Sequence, residues 1–293
     1  MGRISAYCIG CMIKAQEERI RHLKDEKAKA DYMKELCRLI VEAEDEMSVP
    51  VLVTQNDKLI KEYFGIEKTY ENEKKEYNEF VLGYEEEIWN NIVKSPDPLL
   101  EALKYARVGN YIDFGAVKNV EQNQLKLLLD RVKTDHVDEQ EYENLCCDLE
   151  QGSSLVYLTD NCGEIVLDKL FIKMIQQKYP DLHITVVVRG SDVLNDASYG
   201  DAEAVGLTKL VHVVDNGCDV AGTPLAYIGN EARTLIENAD VVIAKGQGNF
   251  ETMNGCGLNV YYMFLCKCTW FEMRFQMKQF EGVLINDRNL KAE

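Results

Sequence analysis

Residues 155–175 run LVYLTDNCGEIVLDKLFIKMI. Leu155 to Thr159 is a short apolar run of strand length. Asp160-Asn161-Cys162-Gly163-Glu164 is polar and turn-like. Leu167, Leu170, Phe171, Met174 and Ile175 then recur at the spacing of one helix face. Strand, polar turn and helix form the repeating unit of an α/β sheet, and the same grammar continues downstream. Ile184 to Val188, Leu210 to Val214 and Val241 to Ala244 are further strand-like runs, and Val283 to Ile285 supplies a last one. Ile228 to Asn238 and Asn259 to Phe271 read as helices. This alternation predicts an α/β fold with a largely parallel, doubly wound sheet.

Upstream of Gly152 the periodicity is helical. Ile9, Met12 and Ile13, then Ile20 and Leu23, then Met33, Leu36, Leu39 and Ile40 recur at helical spacing. The charged stretch from Lys68 to Glu87, with Tyr70, Tyr77, Phe80 and Val81 interspersed, reads as a solvated helix with a narrow apolar stripe. Pro96 and Pro98 interrupt the pattern, and a helix is expected over Leu99 to Arg107. The glycine-bounded loop from Gly109 to Gly115 stands out inside this half. The expected organisation is a helical domain over 1–150 and an α/β domain over 151–293.

The chain has 293 residues, enough to bury a core without disulfide staples. Its 33 Lys and Arg against 50 Asp and Glu give a net charge of −17, which argues against nucleic acid as a partner. No run approaches the roughly 20 apolar residues of a membrane span. The N-terminus lacks the apolar core of a signal peptide, and Ala6 stands where a myristoylation signal wants Ser or Thr. Ten cysteines without a secretion signal imply free thiols in a reducing, cytoplasmic setting.

In an open α/β sheet, ligands sit beyond the carboxyl ends of the strands. The first strand end carries Asp160, Asn161 and Glu164. The second carries Arg189 to Asp192 and, slightly later, Asn195 and Asp196. The third carries Asp215-Asn216-Gly217, and the fourth Lys245-Gly246-Gln247-Gly248-Asn249-Phe250-Glu251. Carboxylate and amide oxygens suit a hard divalent cation. Asp160, Asn161 and Asp196 can supply three such ligands. Lys245 can face the same ion across a bound phosphate, with glycine-flanked N–H groups approaching the phosphate oxygens. Singly, Asp-Asn before a helix is an N-cap signal and Asp-Asn-Gly a turn signal. Four successive strand ends with such groups exceed what capping requires.

Competing motifs fit less well. Gly246-x-Gly248-x-x-Glu251 has Glu where a dinucleotide fingerprint has its third Gly, and follows the fourth strand rather than the first. There is no P-loop. Cys162 stands two places after Asp160, where a haloacid-dehalogenase phosphatase has its second Asp. Ser153-Ser154 precedes its strand, unlike a nucleophile elbow. The four histidines are dispersed, and His212 reads as a core residue. Cys8-x-x-Cys11 has metal or redox spacing, but no second pair completes a zinc site.

Thr159 to Glu164, Leu194-Asn-Asp-Ala-Ser198 and Lys245 to Glu251 together resemble the DUF89 family, also called damage-control phosphatases or ARMT1-like proteins. Cys8-x-x-Cys11 and the Gly109 to Gly115 loop are similar to its bacterial and archaeal subgroup. The resemblance implies a helical domain on a Rossmann-like, three-layer α/β domain. It implies a phosphatase dependent on Mn²⁺, Mg²⁺, Co²⁺ or Ni²⁺ that hydrolyses small phosphate esters, such as sugar phosphates or damaged phosphometabolites. By motif match, Asp160, Asn161 and Asp196 would hold the metal and Lys245 the phosphate, with Gly246 and Asn249 of the same loop beside the substrate. Asn110 and Asp113 would close the pocket from the helical half. The chain departs from the family at Cys162, usually a small residue such as Ala, and at Ser198, usually Thr.

The expected mechanism is attack by a metal-activated water, with Lys245 and backbone N–H groups stabilising the phosphoryl oxygens and Asp113 or Glu164 orienting the water. Alternatives are a Rossmann-type methyltransferase or nucleotide-dependent enzyme, on fold grammar alone, and a non-catalytic protein that binds a phosphorylated metabolite.

Overall fold

Seven helices precede the first strand among the described residues, which are 4–67, 69–109 and 130–290 of a computed structural model. α1 (Ala6–Ile20) starts at Ser5, whose Oγ accepts from the Cys8 N–H at 3.1 Å. α2 (Glu26–Glu42) starts at Asp25, which accepts from the Ala28 N–H at 3.0 Å. α3 (Val49–Phe64) has Pro50 in its first turn and ends at Gly65, whose φ of +65° is readily adopted only without a Cβ. α4 (Glu71–Leu82), α5 (Glu85–Lys94), α6 (Pro98–Val108) and α7 (Glu139–Gln151) follow. Asp97 and Asp138 cap α6 and α7.

The rest of the chain alternates. It runs β1 (Ser154–Leu158), α8 (Glu164–Lys178), β2 (His183–Val188), α9 (Tyr199–Ala204), β3 (His212–Asp215) and α10 (Asn230–Glu237). Then come β4 (Val241–Lys245), α11 (Gly246–Met253), β5 (Val260–Leu265), α12 (Thr269–Phe275) and β6 (Gly282–Asn286). The strands form one sheet in the order β3-β2-β1-β4-β5-β6. All neighbours are parallel except β5 and β6. The chain reverses direction across the sheet at β1, so a crevice opens between the carboxyl ends of β1 and β4.

The period-2 alternation of the strands builds two cores. Leu155, Tyr157, Ile243 and Met263 face one layer with Leu103, Leu167 and Phe171. Val156, Leu158, Val242 and Tyr262 face the other with Val51, Ala232, Phe250 and Phe271. Each fully buried large side chain contributes about 1.5–3 kcal/mol. The fold is α/β with three layers. Residue 150 is not a packing boundary: side chains of α5, α6 and α7 share the first core with the strands. Met12, Leu36 and Leu52 of α1, α2 and α3 form a small core of their own.

Two expectations are corrected. Asn259 to Phe271 is not one helix; it contains β5, whose six residues are all buried, and then α12. A strand buried on both faces presents an unbroken apolar run, which periodicity cannot separate from a buried helix. His212 begins β3 and is exposed rather than in the core. All ten cysteines are free thiols. Among the described residues, no helix is long and apolar enough to cross a membrane.

Candidate active site at the switch point

The loops leaving β1 and β2 are bonded to one another. The Ala197 N–H donates to the Asp160 carbonyl at 2.7 Å, and the Cys162 N–H to the Asn195 carbonyl at 2.8 Å. Asn161 and Asp196 thereby form an isolated antiparallel bridge. This pairing brings the backbones of Asp160, Asn161 and Asp196 together although the first and last are far apart in the chain. Asn161 Nδ2 donates to Asp160 Oδ2 at 2.6 Å and to Glu164 Oε2 at 3.2 Å.

Arg189, at the end of β2, is fully buried beneath them. Its Nε donates to Asp196 Oδ2 at 2.5 Å, and its Nη1 to Thr223 Oγ1 and Asn249 Oδ1. Its Nη2 lies 3.7 Å from Asp160 Oδ1 and has no hydrogen-bond partner among the described residues. One guanidinium therefore spans both acidic residues expected to hold a metal.

The electrostatics are those of a crowded acidic site. Burial raises the Asp160 carboxyl to about 8, helped by the neighbouring Asp196 and Glu164 and opposed by Arg189 and Lys267. Burial also raises Asp196, against Arg189. Four buried carboxylates, Asp160, Glu164, Asp168 and Asp196, stand against three buried cations, Arg189, Lys245 and Lys74, the last of which is paired with Asp192 and Asp201. That surplus of negative charge, on hard oxygens, fits a divalent cation on Asp160, Asn161 and Asp196. The donor set is two carboxylates and an amide; among the described residues no three His, Cys, Asp or Glu side chains group as ligands.

Lys245 sits differently from its expected place. Its Nζ is fully buried and donates to Glu164 Oε1 at 2.5 Å, Asp168 Oδ1 at 2.6 Å and the Ala106 carbonyl at 2.8 Å. Those contacts use its three protons, leaving none for a phosphate. Asn249 is likewise committed: Nδ2 donates to the carbonyls of Thr159 and Lys245, and Oδ1 accepts from Arg189 and Thr223. It braces the site rather than facing a substrate. Gly246 is needed by Asp160: its φ is +79°, and a Cβ there would fall 2.1 Å from Asp160 Oδ2. Asn110 and Asp113 lie outside the described residues.

Sequence reasoning left Arg189 and Asp168 without a role. Asp168 is one helical turn after Glu164, so both meet Lys245 from one face of α8. Lys267 was hidden by the helical reading of Asn259 to Phe271. It follows the carboxyl end of β5, is exposed, and its charge is felt at Asp160. Cys8 is half-buried and Cys11 exposed on α1.

The profile of the damage-control phosphatase ARMT1-like domain matches residues 4–283. The chain belongs to this family. A damage-control phosphatase from Archaeoglobus fulgidus is 29% identical over 276 residues, spanning 91% of this chain and 93% of the relative. One from Pyrococcus horikoshii is 31% identical over 192 residues, 64% of each chain. A crystal structure of a DUF89 family protein from Pyrococcus horikoshii superposes with a TM-score of 0.81 over 98% of this chain and 100% of that one. At 21% identity, that superposition speaks for the family's fold alone.

Proposed function

We propose that the protein is a metal-dependent phosphatase acting on small phosphate esters, among them sugar phosphates and damaged phosphometabolites. Membership of the family and two relatives named damage-control phosphatases support the reaction class. The observation that carries the metal dependence is the pairing of the β1 and β2 loops, which gathers Asp160, Asn161 and Asp196 over a surplus of buried carboxylates. A divalent ion there supplies Lewis acidity toward a phosphoryl oxygen and acidifies a water. Mn²⁺, Mg²⁺, Co²⁺ and Ni²⁺ all suit such a donor set.

Asp160, Asn161 and Asp196 would hold the ion. Arg189 orients Asp196, and Asn161 is fixed by Asp160 and Glu164. Lys267 is the cation that meets the phosphate and opposes charge that grows on the phosphoryl oxygens. Lys245 acts as a positioning residue, holding Glu164 and Asp168. Asp113 takes the general-base role, since Glu164 is locked by Lys245 and Asn161. A Cβ at Gly109 would approach Glu164 Cα at 3.5 Å, so Gly109 itself lies beside the site. The ten free thiols suit a cytoplasmic location, and the Cys8-x-x-Cys11 pair suits the bacterial and archaeal subgroup.

The test is phosphate release across a panel of esters with each of the four metals, and with chelator. We expect turnover with at least one metal, its loss on chelation, and its loss in Asp160→Asn with the thermal transition of the metal-free chain kept within a few degrees. Release insensitive to chelation would sink the reading. Tight sugar-phosphate binding without release under any metal would establish the non-catalytic alternative.

A further inference from the structure

α4 carries two buried polar side chains that its charged sequence conceals. Lys74 and Asn78 are one turn apart, each only 4% exposed. Lys74 Nζ lies 2.8 Å from Asp192 Oδ1 and 2.8 Å from Asp201 Oδ2. Those carboxylates lie on either side of Asp196, four residues before it and five after. Asp201 is held in turn by Ser198, whose N–H and Oγ–H both donate to Asp201 Oδ2. Asn78 works on the other loop: its Oδ1 accepts from the Gly163 N–H at 2.7 Å, two residues after Asn161, and its Nδ2 donates to Asp201 Oδ1 at 3.2 Å.

Gly163 shows how closely α4 must approach. Its φ is +77°, and a Cβ there would meet Tyr77 Cβ at 3.3 Å. A helix with many exposed charged residues thus places one ammonium and one amide against both loops of the site. Burying a lysine is costly unless it is paired, and stability alone would be served as well by an apolar residue on this face. What the polar pair provides is a fixed separation between the loops.

We propose that Lys74 and Asn78 are positioning residues that set the metal affinity of Asp160, Asn161 and Asp196. The inference rests on the metal-site reading above. Side chains that fix ligands from behind typically alter metal affinity about 10–100-fold when removed.

The test is calorimetric titration of the full chain with Mn²⁺ alone, for wild type, Lys74→Met, Asn78→Ala and Asp192→Asn, with the thermal transition of each recorded in chelator. Lys74→Met and Asn78→Ala should weaken Mn²⁺ binding by about tenfold or more. Asp192, whose side chain is 83% exposed, can be altered without opening the buried face, and Asp192→Asn should weaken binding several-fold even if the other two fail to fold. Phosphate release in the weakened variants should recover toward wild type as Mn²⁺ is raised, whereas Asp160→Asn should not recover. Mn²⁺ affinity within twofold of wild type in every folded variant, despite a lowered thermal transition, would reduce the pair to a structural role and overturn the proposal. Absence of Mn²⁺ binding by the wild type would instead overturn the metal-site reading, and this proposal with it.

Discussion

Lys245 and Lys267 stand at neighbouring strand ends in different surroundings, the first buried among carboxylates and the second exposed. Lys245 is the last residue of β4, and its place in the chain made it the natural phosphate ligand. Sequence position gives the strand end but not the number of carboxylates waiting there; Glu164 and Asp168 of α8 turn its ammonium inward. Lys245→Met should therefore leave two carboxylates buried without their cation. The expected cost is about 3–5 kcal/mol in urea denaturation, as for the removal of one partner of a buried ion pair. Lys267→Ala should leave the denaturation midpoint nearly unchanged, since the residue is exposed. It should raise KM for the ester or lower kcat/KM by about tenfold or more, the scale of losing one charge-stabilising donor. Comparable losses of stability in both variants would contradict this division of roles.

The elements of the sheet half were legible because their signals are local. β1, β2, β4 and β6 appear within a residue or two of the expected runs, and β3 starts two residues later than expected. β5 was not legible, because six buried residues in a row carry no period. α4 was half legible: its apolar stripe was clear, but nothing in the spacing of Lys74 and Asn78 says that two charged loops lie opposite. The β1 and β4 pair that frames the crevice is tied at its amino end by Asp240. Oδ2 of Asp240 accepts from the N–H and hydroxyl groups of both Ser153 and Ser154. Those bonds, led by the Ser153 hydroxyl, lower its carboxyl from 3.8 to about 2. A depressed acid contributes stability that is fully present above its unfolded pKa and is lost as pH falls through the folded value. Asp240→Asn should thus be less stable than wild type at pH 6, by under about 1 kcal/mol because the group is solvent-exposed. The difference should shrink as pH falls from about 4 toward 2. A difference independent of pH, followed by circular dichroism in urea, would exclude the charged cap as its cause.

At the scale of the whole molecule, the sheet's two cores are joined to the early helices by polar side chains reaching across long stretches of chain. Glu251 of α11 shows the cost of such burial. Desolvation raises its carboxyl from 4.5 to about 7, against the pull of Arg274. The folded state then holds a proton that the unfolded chain has released, so stability should fall as pH rises from about 4.5 to 7 and level off above. Glu251→Gln should flatten that slope.

Arg107 carries the opposite lesson. It is fully buried at the end of α6. Its Nε and Nη2 donate to Asp135 Oδ2 at 3.0 and 2.6 Å, Nη2 also to the His136 carbonyl, and Nη1 to the Gly282 carbonyl of β6. One side chain thereby ties α6 to the edge of the sheet. No periodicity reveals this, because its partners stand 28 and 175 positions away. Arg107→Leu would strand Asp135, whose carboxyl burial already pushes upward against the arginine's charge. The single variant should lose about 3–5 kcal/mol. The double variant Arg107→Leu with Asp135→Leu should regain part of that loss, since two apolar groups of similar size leave no orphaned charge. Mn²⁺ affinity should stay within twofold in the double variant, because Asp160, Asn161 and Asp196 are held by contacts that do not involve Arg107. Equal destabilisation in the single and double variants, read from urea midpoints, would show that the arginine acts through its backbone contacts rather than through its pairing with Asp135.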